Sequence, residues 1–149
     1  MKSWKKLASA ALAAVVVAGL LGGCGGGDKK SGDAGKGGNE FVVGVNAELT
    51  GNVANYGKSM KSGFELAVEE VNKAGGINGK KVRVVEADNK SEPSESGNAA
   101  TKIVTKDKVV AVIGPATSGC VAAEEPILSS NKVPLIAPCA TAPGITVDK

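Results

Sequence analysis

Few side chains in this sequence are placed to do chemistry, and the most informative of them sit on turns. Ser118 follows the run Val109–Ile113, five apolar residues, mostly β-branched, that read as a short strand buried on both faces. Pro115 cannot donate to a ladder, so this strand should stop at Gly114. Thr117 and Ser118 then present hydroxyls where a helix starting near Gly119 needs N-caps. A strand ending in a small-residue turn that opens a helix is a ready anion site, because free N–H groups and the positive end of the helix dipole meet there. Thr141 adds a second hydroxyl, the carbonyl of residue 139 can accept from an ammonium, and Tyr56, the one tyrosine, can wall a ligand's side chain. Each has an ordinary reading too: caps for Ser118 and Thr141, a core edge for Tyr56.

Two other chemistries fail on the residues themselves. A serine nucleophile on a strand-to-helix turn needs Gly-x-Ser-x-Gly, but positions 116 to 120 read Ala-Thr-Ser-Gly-Cys. The sequence also contains no histidine, so there is no histidine base, triad or metal ligand. Gly51 and Gly57-Lys58-Ser59 suggest a phosphate loop, but five residues separate the glycines where four are needed, and Asn52 stands at the required glycine. What remains is passive capture of a small anion or zwitterion, with no enzyme activity, cofactor or metal.

The elements that must position these residues follow from periodicity. Phe41–Val45 reads as a first strand, followed by a loop over Asn46–Asn55. In Tyr56–Ala74, Met60, Phe64, Val68 and Val71 lie on one helical face, and Gly75-Gly76 ends the helix. Val82–Ala87 is a second strand. Pro93 falls in the first turn of a second helix, whose inner face is Ala99, Ala100, Ile103 and Val104. After the third strand, Val109–Ile113, a third helix covers Val121–Ser130 with Ile127 and Leu128 inward, and Pro126 should bend or confine it. Val133–Ala137 is a fourth strand. The order β-α-β-α-β-α-β predicts an α/β fold, a three-layer parallel sheet with helices on both faces. With strand order 2-1-3-4 the switch point lies between the first and third strands. There the loops Asn46–Tyr56 and Gly114–Gly119 converge, flanked by Pro138–Ala142.

The amino-terminal part has a different character. Residues 1–23 read as an export signal: Lys2, Lys5 and Lys6 form a positive region, Leu7–Leu20 is apolar, and Leu21-Gly22-Gly23-Cys24 follows. The apolar run barely spans a bilayer and ends in small residues, which favours a signal over a transmembrane anchor. Leu-Gly-Gly-Cys is similar to the bacterial lipobox, whose cysteine is acylated, so Cys24 is the expected anchor to the outer face of a membrane. Residues 24–40 form a glycine-rich tether, with seven glycines between Gly25 and Asn39 and a reach on the order of 20 Å. The three lysines of the signal account for the whole net charge of +3. The remaining chain is balanced and poor in aromatics, with no basic patch for nucleic acid. Of the other cysteines, Cys120 and Cys139 could pair in an exported chain. Two small buried thiols are favoured over a bridge, because nothing in the sequence sets their Cα distance.

Several segments carry a family resemblance: Glu48-Leu49-Thr50-Gly51, Asn55-Tyr56-Gly57, Val71-Asn72-Lys73-Ala74-Gly75-Gly76-Ile77-Asn78-Gly79, Val112-Ile113-Gly114 and Ala137-Pro138-Cys139-Ala140-Thr141-Ala142-Pro143. From about Phe41 onward the chain resembles the leucine/isoleucine/valine-binding proteins. These are extracytoplasmic receptors of branched-chain amino-acid ABC importers, with a two-lobed periplasmic-binding-protein type I fold. The resemblance implies that Ser118 binds the ligand α-carboxylate and that Thr141 contacts carboxylate and ammonium. It also implies that Tyr56 lies near the ligand side chain, and that Cys139 and Ala140 belong to the contacting segment, Cys139 through its backbone. The family's disulfide positions correspond to Ser91 and Thr117 here, so that bridge is not expected. Residues 41–149 would form an incomplete N-terminal lobe, and the permease of an ABC transporter would be the partner. The same lobe serves ligand-sensing domains of signalling receptors, a reading that the lipobox argues against.

Overall fold

The computed structural model describes residues 38–146. The expected signal peptide, Cys24 and nearly all of the tether lie outside these residues. The described chain alternates strand and helix: β1 (Glu40–Ala47), α1 (Ala54–Lys73), β2 (Lys81–Asp88), α2 (Pro93–Thr105), β3 (Ala111–Ile113), α3 (Ser118–Ser130) and β4 (Leu135–Ile136). All strand pairs are parallel and the order is β2-β1-β3-β4, as the sequence predicts. β1 and β2 pair over their full lengths, from Glu40 beside Lys81 to Ala47 beside Asp88. Glu40 is therefore the first residue of the sheet and not the last of the tether.

Alternation along β1 sends successive side chains to opposite layers. Gly44 faces α2, where an added Cβ would lie 3.0 Å from Ile103. On that side Ala100, Ile103, Val104, Val109, Val112 and Leu128 make the core of α2, α3 and the sheet. The other side is covered by α1, whose face Met60, Phe64, Val68 and Val71 is half-buried. Its one fully buried residue is Gly57. The three-layer arrangement is thus present, with a denser core under α2 and α3 than under α1. Among the described residues no helix is long and apolar enough to cross a membrane.

Several boundaries differ from expectation, each for a local reason. β3 begins at Ala111, two residues later than predicted, although Val109 is buried and the Val110 N–H still reaches Val42 O at 2.8 Å. β4 is only Leu135–Ile136. Pro134 offers no donor, and its carbonyl accepts from the Val112 N–H at 2.9 Å to open the pairing. α3 begins three residues early, at Ser118, and runs through Pro126 as one element. Pro126 and Ala122, whose carbonyl the proline leaves without an intrahelical donor, are both exposed, so water can satisfy that carbonyl.

The carboxyl ends of the strands are tied together by side chains. Asp88 accepts from the amides of Leu49, Thr50 and Lys90 at 3.1, 3.1 and 2.8 Å, and from the Thr50 hydroxyl at 2.7 Å. Desolvation raises its pKa, but these hydrogen bonds outweigh it and hold the carboxyl below the ordinary aspartate value. The Ser91 hydroxyl donates to Thr50 O at 2.8 Å. The loop after β1 is thereby fixed to the loop after β2.

Candidate functional site

Between β1 and β3 the strand order reverses, and the loops that leave their carboxyl ends meet the segment after β4. Gly114 closes the turn after β3. It has φ +90° and packs so closely that a Cβ would lie 2.2 Å from Asn46 O. Two residues past the adjoining Pro115, Thr117 adopts extended backbone and Ser118 opens α3.

The Ser118 hydroxyl oxygen accepts the N–H groups of Thr141 and Ala142, at 3.2 and 3.1 Å. Two acceptances occupy its lone pairs and leave its own proton to donate. The amides of Ser118, Gly119 and Cys120 lie ahead of the first internal bond of α3, from the Val121 N–H to Thr117 O at 3.0 Å. A polarised hydroxyl beside the start of a helix suits an anion, and a carboxylate above all.

Thr117 does not cap the helix with its side chain, contrary to expectation. Its hydroxyl bonds Glu48 Oε1 at 2.8 Å, and its N–H bonds the same oxygen at 3.0 Å. The Ala116 N–H bonds Glu48 Oε2 at 2.9 Å. One Glu48 oxygen accepts both Thr117 donors at once, so the hydroxyl turns to it and away from the helix amides. Glu48 itself is fully buried. Nothing local in the sequence marks a glutamate at a strand end as the partner of a turn 68 residues away.

Tyr56 lies in the first turn of α1, 57% exposed. With Met60, Phe64, Ile113, Pro138 and Cys139 it lines a mostly apolar cleft of about 610 Å³. Ser118 and Thr141 therefore share a hydrogen-bonded junction, while Tyr56 and Cys139 share a cleft. The segment Cys139–Thr141 joins the two, with Ala140 half-buried between them. Cys120 and Cys139 are free thiols, but only Cys120 is buried; Cys139 is exposed, against the expectation of two buried thiols. Burial pushes the Cys120 thiol up.

Below the site lies a polar network inside the core. Asn46 Nδ2 is 3.1 Å from both Ser96 O and Ser96 Oγ, and 2.6 Å from Glu124 Oε2. The Ser96 hydroxyl donates to Cys120 O at 3.0 Å, and Asn89 Nδ2 donates to Asn46 Oδ1 at 3.3 Å. Glu124 is fully buried and its Oε1 has no partner. Desolvation, with the Glu48 charge adding to it and the Asn46 bond opposing, pushes its pKa up to about 8. A helical reading of α3 held a signal for it, since Cys120, Glu124 and Leu128 repeat every fourth residue on the inward face.

Parallel strands in the order 2-1-3-4, with helices on both faces and an apolar cleft at the switch point, define part of a lobe of the periplasmic-binding-protein type I fold. The family signature of periplasmic binding proteins matches residues 40–149, and the chain belongs to that family. It is 43% identical over 107 residues to the Leu/Ile/Val-binding protein BraC3 of Rhizobium johnstonii. It shows the same identity over the same length to the Leu/Ile/Val-binding protein homolog 3 of Brucella melitensis. Each match covers 72% of this chain and 29% of the relative, so the chain spans about three tenths of the length of these relatives. Among solved structures it superposes on the branched-chain amino acid transporter substrate-binding protein LivJ of Streptococcus pneumoniae, in complex with isoleucine. There the TM-score is 0.72 and the identity 47%, over 72% of this chain and 31% of LivJ. A solute-binding protein of an ABC transporter from Rhodopseudomonas palustris, in complex with 3,4-dihydroxybenzoic acid, shares the fold with a TM-score of 0.67 and 27% identity, over 72% and 29% of the two chains.

Proposed function

We propose that this chain is part of an extracytoplasmic lipoprotein that captures an amino acid, branched-chain by default, and delivers it to an ABC importer. The observation that carries the reading is the Ser118 hydroxyl, held at the start of α3 by the Thr141 and Ala142 amides, which leave its proton free to donate. That group takes the ligand carboxylate. Thr141 adds its hydroxyl and the carbonyl of Cys139 accepts from the ammonium. The apolar cleft walled by Tyr56, Met60 and Phe64 receives the side chain. In this reading a second lobe supplies the counter-charge for the ammonium, and closure of the two lobes buries the ligand and signals the permease.

The isoleucine complex of LivJ supports a branched-chain ligand, and the dihydroxybenzoate complex sets the main alternative to be screened. In the intact receptor, Ser118→Ala and Thr141→Ala should each weaken leucine or isoleucine binding by about 1–3 kcal/mol, the worth of a hydrogen bond to a charged group. Titration calorimetry reads this directly. Unchanged affinity in either variant removes that residue from the site. Aromatic acids binding where branched-chain amino acids do not would reassign the ligand.

Cys24 supplies the anchor in this reading. Cys24→Ser should abolish incorporation of labelled fatty acid and release the protein from the membrane fraction into the soluble extracytoplasmic fraction. A variant that stays with the membrane would show that some other segment holds it there.

A further inference from the structure

We infer that Glu48 is a positioning residue for the carboxylate end of the ligand site, acting through the Ala116–Thr117 turn on Ser118; this rests on the binding reading above. Its carboxylate is completely buried, and its three hydrogen bonds all go to the two residues that immediately precede Ser118. No lysine or arginine pairs with it among the described residues. Two amides and one hydroxyl converge on its two oxygens beside the start of α3, which ties the turn and the Glu48 side chain into a single hydrogen-bonded unit.

The main chain of Glu48 is itself immobilised. The backbone of Gly57 in α1 packs against it so closely that a Cβ there would lie 2.3 Å from the Glu48 carbonyl oxygen. The strut therefore runs from α1, through Glu48, to the turn that presents Ser118. It also acts by exclusion. An anion arriving at the start of α3 could otherwise settle on the Ala116 and Thr117 amides; with those two taken by Glu48, the donors left are the Ser118 hydroxyl and the amides of Ser118, Gly119 and Cys120. Glu48 thus sets where along the helix start the ligand carboxylate sits.

The test is a double-mutant cycle in the intact receptor, with leucine and isoleucine as probes in titration calorimetry. Glu48→Gln keeps the volume and one acceptor oxygen but turns an NH₂ group toward donors. It should weaken binding by about tenfold with Ser118 present, and by less than about threefold in the Ser118→Ala background, since neighbours in one hydrogen-bond network are non-additive. A residue that only stabilises the lobe would lower affinity by the same factor in both backgrounds, and that result, or an unchanged affinity, overturns the proposal. Should Glu48→Gln fail to melt cooperatively, Thr117→Val, which deletes one of the three bonds and keeps the shape, carries the same test. It should weaken binding by about threefold with Ser118 present and leave it unchanged without Ser118. Equal effects of Thr117→Val in the two backgrounds, or none in either, likewise overturn it. Absence of binding heat in the unmutated receptor would overturn the amino-acid reading and this inference with it, whereas binding that ignores Glu48 and Thr117 overturns this inference alone.

Discussion

Gly57→Ala is expected to destabilise the protein by about 3 kcal/mol, the upper end of overpacking effects. Gly63→Ala on the same helix is expected to stabilise it by about 0.5–1 kcal/mol. The two substitutions add the same methyl group to the same helix, so the difference isolates what each methyl meets. At position 57 the new Cβ would lie 2.3, 2.6 and 2.7 Å from the carbonyl oxygen, carbonyl carbon and nitrogen of Glu48. All three are backbone atoms and none can swing aside, so α1 must lift from β1 or the loop must deform. At position 63 nothing lies within 4 Å, and alanine simply has the better helix propensity. Urea denaturation of the two variants reads the contrast. Because the Glu48 main chain supports the Ala116–Thr117 turn, Gly57→Ala should also weaken ligand binding. A loss of less than about 1 kcal/mol at position 57 would show that α1 can shift without strain, and would remove the rigid support for the strut.

The second large effect concerns Glu124, whose pKa of about 8 stands well above its ordinary value of 4.5. Burial is the main cause. In the folded state the group holds its proton across a range of pH in which the unfolded chain has lost it. Stability from this group is therefore fully present below about pH 4.5 and falls as pH rises toward 8, by an amount on the order of a few kcal/mol. Glu124→Gln mimics the protonated form, keeping an acceptor for Asn46 Nδ2 and placing its NH₂ where Oε1 has no partner. The variant should match the unmutated protein within about 1 kcal/mol near pH 5 and exceed it by a few kcal/mol near pH 9. Unfolding free energies measured over that range for both proteins give the answer by subtraction, since every other titrating group contributes to both. Parallel curves would mean that Glu124 ionises in the fold as freely as it does in the unfolded chain.

The two effects describe one design. Glu48 and Glu124 are both fully buried, and they are used differently. Glu48 meets three donors, all from the turn before Ser118. Glu124 meets one side-chain amide and stays protonated near neutral pH. Burial with a single partner decides the form of Glu124.

The alternation of strands and helices, the strand order, the switch point and the three loops that meet there were all legible in the sequence. These features rest on local causes. Periodicity marks the faces of α1 and α2, Gly75-Gly76 ends a helix, Pro93 starts one, and short apolar runs become buried parallel strands. The positions of Ser118 and Thr141 followed from the same reasoning, and the structure joins them directly. What the tertiary structure alone decided is which partner each polar group finds. Thr117 turns from the helix to Glu48, Asp88 gathers the loop after β1, Cys139 is left exposed, and Glu124 is sealed beside Asn46. Those outcomes depend on contacts between residues tens of positions apart, and on how completely packing removes water from a carboxyl group. Hydropathy and spacing report where a side chain points along its own element; they do not report what stands across the layer to meet it.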